Sequence, residues 1–393
     1  MREKSRTYNR VSSPAKTGQA APASNYHEPN YTLIILLGVI IIFGLIMLSS
    51  ASSVMGWQKF GDHNYFVKHQ LLYGVIIGLV AFWVMSKIDY HYWKKYAFPI
   101  VIISIVLLFL VLIPGIGYEF LGAKRWVSIF GFPFQPSELV KLTFLIYLAT
   151  WLEQRSKKME DFSYSFMPFI IMIAFLVFMV AGIQRDLGTM IVIGVVSIVI
   201  YFVAGAPWKH LGWIGLGGLG LFFLLIKIAP YRAQRLTVFL NPELDPQGVG
   251  YHINQSLLAI GSGGLFGLGL GHSRQKFNYL PEAAGDSIFA VIAEEMGFVI
   301  TVALVALFFA LGYQCLKIAR NAPDAFGKLL AVGIVTWILF QAFVNIMAML
   351  GLLPLTGITL PFISYGSTSL VTLLAAMGLL VNISRQTKKN VNP

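Results

Sequence analysis

Long apolar runs recur from Tyr31 to Ile383, separated by short charged stretches, and this feature restricts the chain more than any other. A hydrocarbon core about 30 Å thick takes about 20 apolar residues of helix to cross, and backbone groups inside it must bond within their own segment. The runs are therefore expected to be helices. Ten are predicted: Tyr31 to Ser50, Phe66 to Met85, Phe98 to Leu112, Leu139 to Leu152, Met167 to Ile183, Gly188 to Ala206, Leu211 to Ile228, Ser287 to Leu316, Leu329 to Leu352 and Ser367 to Ile383. The fourth is short for a straight span and is expected to extend into its flanks. The fold class is an all-α polytopic membrane protein with a large outer loop between the seventh and eighth helices. Composition agrees, with 57% hydrophobic and 12% charged residues, where soluble domains carry about 25% charged.

Lysine and arginine are biased toward one side of these runs. With the N-terminus inside, the cytoplasmic stretches hold roughly twice the basic residues of the outer ones, so both termini are predicted to be cytoplasmic. Residues 1–29 read as a disordered cytoplasmic tail, 30–384 as the membrane domain and 385–393 as a second cytoplasmic tail. The first apolar run begins too far in to be a cleaved signal peptide. A net charge of +12 raises the question of nucleic acid, but the basic residues form no stripe interleaved with stacking aromatics, so no nucleic-acid partner is expected. The single cysteine, Cys315, excludes an internal disulfide, and no His-rich metal motif is present.

Three carboxylates lie where such a chain can ill accommodate them. Asp286 stands just before the eighth run, where an aspartate is a natural helix N-cap. Glu294 and Glu295 follow inside the run, about 12 to 14 Å deeper at 1.5 Å per residue. That is too far for a glycosidase-type dyad with Asp286. Buried carboxylates need polar partners, and Lys141 is the obvious candidate, while Glu138 shares its helix face three residues earlier. Spacing leaves open whether Glu138 and Lys141 form a structural pair or touch substrate. Arg125 beside Trp126 sets an anion-binding fork next to an amphipathic ring, which suits an interfacial phosphate as well as a simple aromatic anchor. The run GSGGLFGLGLG, Gly261 to Gly271, lacks any nucleotide-loop pattern; its glycines suit tight turns and close backbone approach in a re-entrant or surface-lying segment. Arg274 and Lys276 after it are expected to bring cations near Asp286.

Six motifs in order then carry a resemblance: GAKRWV, QPSELVK, QRDLGT, GYHINQSLLAIGSGGLFGLGLGHSRQKFNYLPE, GDSIFAVIAEEMG and GLLPLTGITLPFISYGSTS. The chain resembles the SEDS family, the polytopic glycosyltransferases of bacterial cell-wall synthesis that include FtsW, RodA and SpoVE, from Tyr31 to Ile383. The segment SRQKFNYLPE is nearer the FtsW and SpoVE branch, which implies septal synthesis. The family's essential aspartate carries over to Asp286. The resemblance implies polymerisation of lipid II, an undecaprenyl diphosphate-linked disaccharide-pentapeptide, outside the cytoplasmic membrane, with Asp286 as general base. Substrate contacts are expected from Arg125, Trp126, Glu138, Lys141, Gln255, Ser256, Arg274, Lys276 and Glu282, and a polar interior from Asp186, Glu294 and Glu295. A divalent cation, Mg or Mn, is compatible with the diphosphate, although no metal ligand is assigned. The expected partners are a class B penicillin-binding protein, which is a transpeptidase, and other divisome proteins.

The chain departs from the family pattern at Arg185, where proline is usual, and at Gly285 and Ser287, where threonine and phenylalanine flank the aspartate. SYGSTS also replaces the commoner SYGGS type. The rival readings are a lipid II flippase, with Glu138, Lys141, Asp186, Glu294 and Glu295 lining a polar path, and a noncatalytic scaffold for the transpeptidase.

Overall fold

The computed structural model describes residues 28–115, 117–120, 123–129, 132–228 and 236–387. Nearly all of the predicted N-terminal tail, residues 388–393 of the C-terminal one, and Arg232 and Arg235 of the outer loop lie outside the described residues. Each of the ten predicted runs is met by a helix. These are α1 (Tyr31–Phe60), α2 (Tyr65–Lys87), α3 (Ala97–Leu110), α4 (Pro136–Arg155), α5 (Phe162–Ile183), α6 (Leu187–Val203) and α7 (Trp208–Ile228), then α9 (Ile288–Arg320), α10 (Ala325–Met349) and α11 (Ser367–Gln386). An additional helix, α8 (Val249–Ser262), lies in the long connection before α9. Among the described residues, six helices are long and apolar enough to cross a membrane by length and composition: α1, α2, α5, α9, α10 and α11.

Local chemistry sets the helix ends. Asn30 caps α1 by accepting from Leu33 N at 3.1 Å, and Gly61 closes it in the left-handed conformation at φ 69°. Proline opens α4 at Pro136, where a missing N–H costs nothing, so the fourth run does extend into its flank. Asp324 caps α10 through Gly327 N at 2.6 Å.

Helices α10 and α11 form the centre: 72% and 89% of their most apolar stretches are buried, against 28 to 33% for α1, α2, α5 and α9. The latter leave much of their apolar surface exposed. On α1, Ile35, Val39, Ile42 and Ile46 repeat at helical spacing on the outside, and Trp57 continues the stripe at its end, the position of an interfacial ring. Helix α11 packs on α2 through glycines: a Cβ at Gly78 would meet Leu374 Cδ1 at 2.5 Å, and one at Gly378 would meet Phe82 O at 2.4 Å. Small residues at such crossings let backbones approach where no hydrophobic force drives helices together.

One connection carries a small sheet on the otherwise helical fold. Gly117–Phe120, Ala123–Ile129 and Phe132–Phe134 form a three-stranded antiparallel sheet, β1 to β3 in sequence order, with Tyr118 opposite Trp126. The all-α fold class holds, and the sheet gives the long connection from Gly115 to Gln135 a structure that the sequence did not signal. The strands are three to seven residues long, too short for period-2 patterning to stand out beside the membrane runs.

Candidate functional site

Asp286 is half-buried at the end of a compact turn, Pro281 to Ser287. Glu282 adopts a left-handed conformation at φ 49°, and its carbonyl accepts from Gly285 N at 2.8 Å and Ser287 N at 3.3 Å. The expected N-cap role of Asp286 is corrected: α9 begins at Ile288, and Ser287 is its cap residue. Ser287 Oγ donates to Pro281 O at 2.7 Å and lies 2.6 Å from His252 Nε2 on α8. One hydroxyl proton serves one acceptor, so the His252 ring donates from Nε2. Ser287 is one of the departures from the family pattern, and a phenylalanine could make neither bond. His252 was not singled out in the sequence.

The opposite wall is the segment between α10 and α11, GLLPLTGITLPFISYGS. A Cβ on Gly357, at φ 69°, would stand 4.0 Å from Asp286 Oδ2, so glycine leaves the carboxylate room there. Tyr365 N donates to Ala284 O at 2.8 Å. Asn345 of α10, 1% exposed, donates from Nδ2 to both Asp286 O and Ile358 O, each at 2.7 Å. One helical turn earlier, Gln341 donates to Thr359 O at 3.0 Å and accepts from Lys141 Nζ at 3.2 Å and Trp337 Nε1 at 2.8 Å. Lys141 pairs with Glu138 at 2.8 Å and stands over the Trp337 ring. Both residues are 6% exposed. The predicted pair therefore exists and belongs to the same polar system as the segment facing Asp286. Gln341 and Asn345 were passed over, although two amides four residues apart in an apolar helix are a legible signal.

Asp186 caps α6 through Thr189 N at 3.1 Å and Oγ1 at 3.0 Å, and Gln135 Nε2 reaches it at 3.4 Å. Arg125 of β2 donates to Arg185 O at 2.7 Å and approaches Asp186 Oδ1 at 3.9 Å. Arg185 sits at φ 57°, a conformation closed to the proline usual in the family. The start of α6 presses on the same wall: a Cβ on Gly188 would lie 3.0 Å from Thr356 O and 2.6 Å from Ile358 Cγ1. Arg125 and Asp186 are thus joined to the Asp286 wall through residues 356–358. Trp126 is half-buried beside Arg125 on β2.

Glu294 and Glu295 have partners other than Lys141, which corrects that expectation. Glu295 Oε1 accepts from Lys276 Nζ at 2.8 Å, Ser50 Oγ at 2.7 Å and Ser273 N at 3.2 Å. Glu294 accepts from Ser273 Oγ at 2.5 Å and Arg274 N at 2.8 Å. Lys276 is buried and its ammonium is committed here, whereas the Arg274 side chain is exposed. Just beyond, α9 breaks at Gly297, φ 74° and ψ −179°. The glycine run fills the break: Leu268 N and Gly269 N donate to Glu294 O and Glu295 O at 3.0 Å each, while Phe298 N and Val299 N donate to Gly264 O and Leu265 O at 2.9 and 3.2 Å. A Cβ on Gly267 would fall 2.2 Å from Glu295 O, which explains the glycines by close approach.

Of the remaining predicted contacts, Ser256 on α8 is buried and bonds its own helix at His252 O, 2.9 Å away. Gln255 Oε1 is buried with no hydrogen-bond partner among the described residues. Burial pushes the Glu282 carboxyl above its ordinary value and the Lys59 charge opposes this, so the end of α1 lies close to the turn. Among the described residues no three His, Cys, Asp or Glu side chains gather into a metal cage.

Comparison with known proteins places this geometry. Residues 30–389 match the model of the FtsW, RodA and SpoVE family, described as cell cycle proteins. The chain is 44% identical over 361 residues to stage V sporulation protein E of Bacillus subtilis, covering 92% of this chain and 98% of the relative. It is 42% identical to a probable peptidoglycan glycosyltransferase FtsW of a Geobacter species, over 90% and 96% of the two chains. A solved chain from work on how a peptidoglycan synthase complex coordinates polymerization and crosslinking superposes with a TM-score of 0.75 at 29% identity, covering 92% of this chain and 99% of that one. The rod-shape-determining protein RodA of Thermus thermophilus gives 0.66 at 28%, over 93% and 100%. This multi-pass membrane protein belongs to the FtsW, RodA and SpoVE family.

Proposed function

We propose that this chain, a peptidoglycan glycosyltransferase like the relatives so named, polymerises lipid II on the outer face of the bacterial cytoplasmic membrane during septal synthesis, with Asp286 as general base. The reading includes ten spans and cytoplasmic termini. The observation that carries it is the setting of Asp286: a half-buried carboxylate on a rigid turn, facing a glycine-lined wall that α10 holds in place. In the reaction the acceptor's sugar 4-hydroxyl gives its proton to Asp286, its oxygen bonds to the donor's anomeric carbon, and the bond from that carbon to the diphosphate breaks. The diphosphate departs on its lipid carrying the bonding electrons. One base suffices because this leaving group needs no proton, and positioned bases contribute about 100- to 10,000-fold.

Arg125, with its side chain 29% exposed and joined through Asp186 and Gly188 to the wall facing Asp286, is the cation assigned to the diphosphate. The described residues form no cage of protein ligands, so a divalent cation would come with the diphosphate. The peptidoglycan synthase relative supports a transpeptidase partner of the class B penicillin-binding type, with further divisome proteins around it.

The broken helix α9 favours a transporter reading at first sight, since discontinuous helices line transport sites. Here the carbonyls of Glu294 and Glu295 and both carboxylates are bonded to residues 268–276, so the break is a docking joint. The test is polymer formation from labelled lipid II by the protein with its transpeptidase, wild type against Asp286→Asn. Loss of at least about 100-fold in rate from the folded variant is expected; equal polymer from both removes Asp286 from the chemistry.

A further inference from the structure

The geometry points to Asn345 as a positioning residue for the transfer, which fixes the backbone of Asp286 against the wall it faces. The inference rests on the reading of Asp286 as general base.

Asn345 Nδ2 carries two protons, and both are used: one on Asp286 O and one on Ile358 O, each at 2.7 Å. Both neighbours are carbonyls, so the nitrogen must face them and the amide orientation is determined. Ile358 is the residue after Gly357, whose backbone adjoins the Asp286 carboxylate. A single side chain therefore spans the catalytic turn at Asp286 and the wall at Ile358, and with the backbone bond from Tyr365 N to Ala284 O it sets the gap between them. Gln341, one turn earlier on α10, holds the next carbonyl, Thr359 O. Asn345 is 1% exposed and lies behind the Asp286 main chain, so it meets no substrate. Its effect passes through Asp286.

A carbonyl–amide bridge of this kind acts on alignment. Substrate affinity arises along the whole lipid and saccharide, whereas proton abstraction depends on where one carboxylate stands, and a displacement of about 1 Å costs on the order of 100-fold in rate. The expected signature is a fall in kcat with KM preserved.

The experiment is steady-state polymerisation of lipid II by the full-length protein with its transpeptidase, comparing wild type, Asn345→Leu and Asn345→Gln. Leucine keeps the volume and removes the donors; glutamine keeps the donors on a longer arm. Hydrogen exchange over 283–288 is followed in parallel. Asn345→Leu is expected to lose about 10- to 100-fold in kcat with KM within about twofold, to speed exchange in that turn, and to be partly rescued by Asn345→Gln. If the leucine variant fails to fold, Asn345→Gln is read alone, with a smaller fall in kcat expected at unchanged KM. Wild-type kcat in the folded variants, or a rise in KM at unchanged kcat, overturns the inference. So does failure of both variants to fold, which makes Asn345 a residue of the fold alone. Should Asp286→Asn retain full activity, the general-base reading fails separately, and unchanged exchange over 283–288 in Asn345→Leu refutes the bridge itself.

Discussion

Replacing Lys276 with methionine tests whether the joint in α9 is held by its buried ion pair. Lys276 Nζ makes three bonds, to Glu295 Oε1 at 2.8 Å, Ser50 Oγ at 2.9 Å and Gly271 O at 2.7 Å, and Glu295 is 1% exposed. Methionine fills the same space but leaves the Glu295 charge buried beside a second carboxylate, Glu294. Breaking a buried pair from one side costs about 3 to 5 kcal/mol, and the stranded Gly271 carbonyl adds about 1 kcal/mol or more. At the shallow end of the usual scaling, about 2 °C per kcal/mol, the melting temperature in nanodiscs falls by at least about 6 °C. The decisive arm is Lys276→Met with Glu295→Gln, which removes both charges while glutamine still accepts from Ser50 and Ser273. It is expected to recover more than half of the loss, because the penalty is the unpaired charge and not the missing attraction. A single variant melting within about 2 °C of wild type, about 1 kcal/mol on the same scaling, or a double variant no more stable than the single, refutes the reasoning.

Gly297→Ala is expected to cost at least about 2 kcal/mol, because its Cβ would stand 2.2 Å from Gly267 N at φ 74°. Gly61→Ala, with φ 69° but nothing within 4 Å, is expected to lose only the left-handed penalty of about 1 to 2 kcal/mol; thermal melting compares them. For Glu282, burial raises the carboxyl above 4.5. The stability of its neutral form is therefore complete below 4.5 and is lost as pH rises through the elevated value. Glu282→Gln removes that loss, so its melting temperature matches wild type in acid and exceeds it at neutral pH. A gap that is constant with pH contradicts this.

The positions and order of the apolar helices were legible because hydrophobic length is a local property: each apolar run must satisfy its own backbone in lipid, whatever its neighbours do. The cap at Asp186 is just as local, yet the sequence reading placed that residue only in the polar interior. Asp286 was read as the cap because that rule knows only the next few residues, whereas α9 starts one residue later than the rule requires, at Ile288, and the Ser287 hydroxyl at the cap position is engaged by Pro281 and His252. The small sheet was too short to signal itself against membrane runs.

By itself the sequence determined that the chain spans a membrane, where its helices lie, and through its ordered motifs to which family it belongs. Only the tertiary structure decided who partners whom. Lys141, Lys276, Glu138, Glu294 and Glu295 offer several charge pairings of similar appeal in one dimension, and burial makes each unpaired group costly, so packing alone selects the set. It gave Lys276 to Glu295 and Lys141 to Glu138 and Gln341. The glycine run likewise has no meaning along the chain until the break at Gly297 supplies the backbone that it must approach. Asn345 acquires its place only when residues 59 and 13 positions away meet at one amide nitrogen.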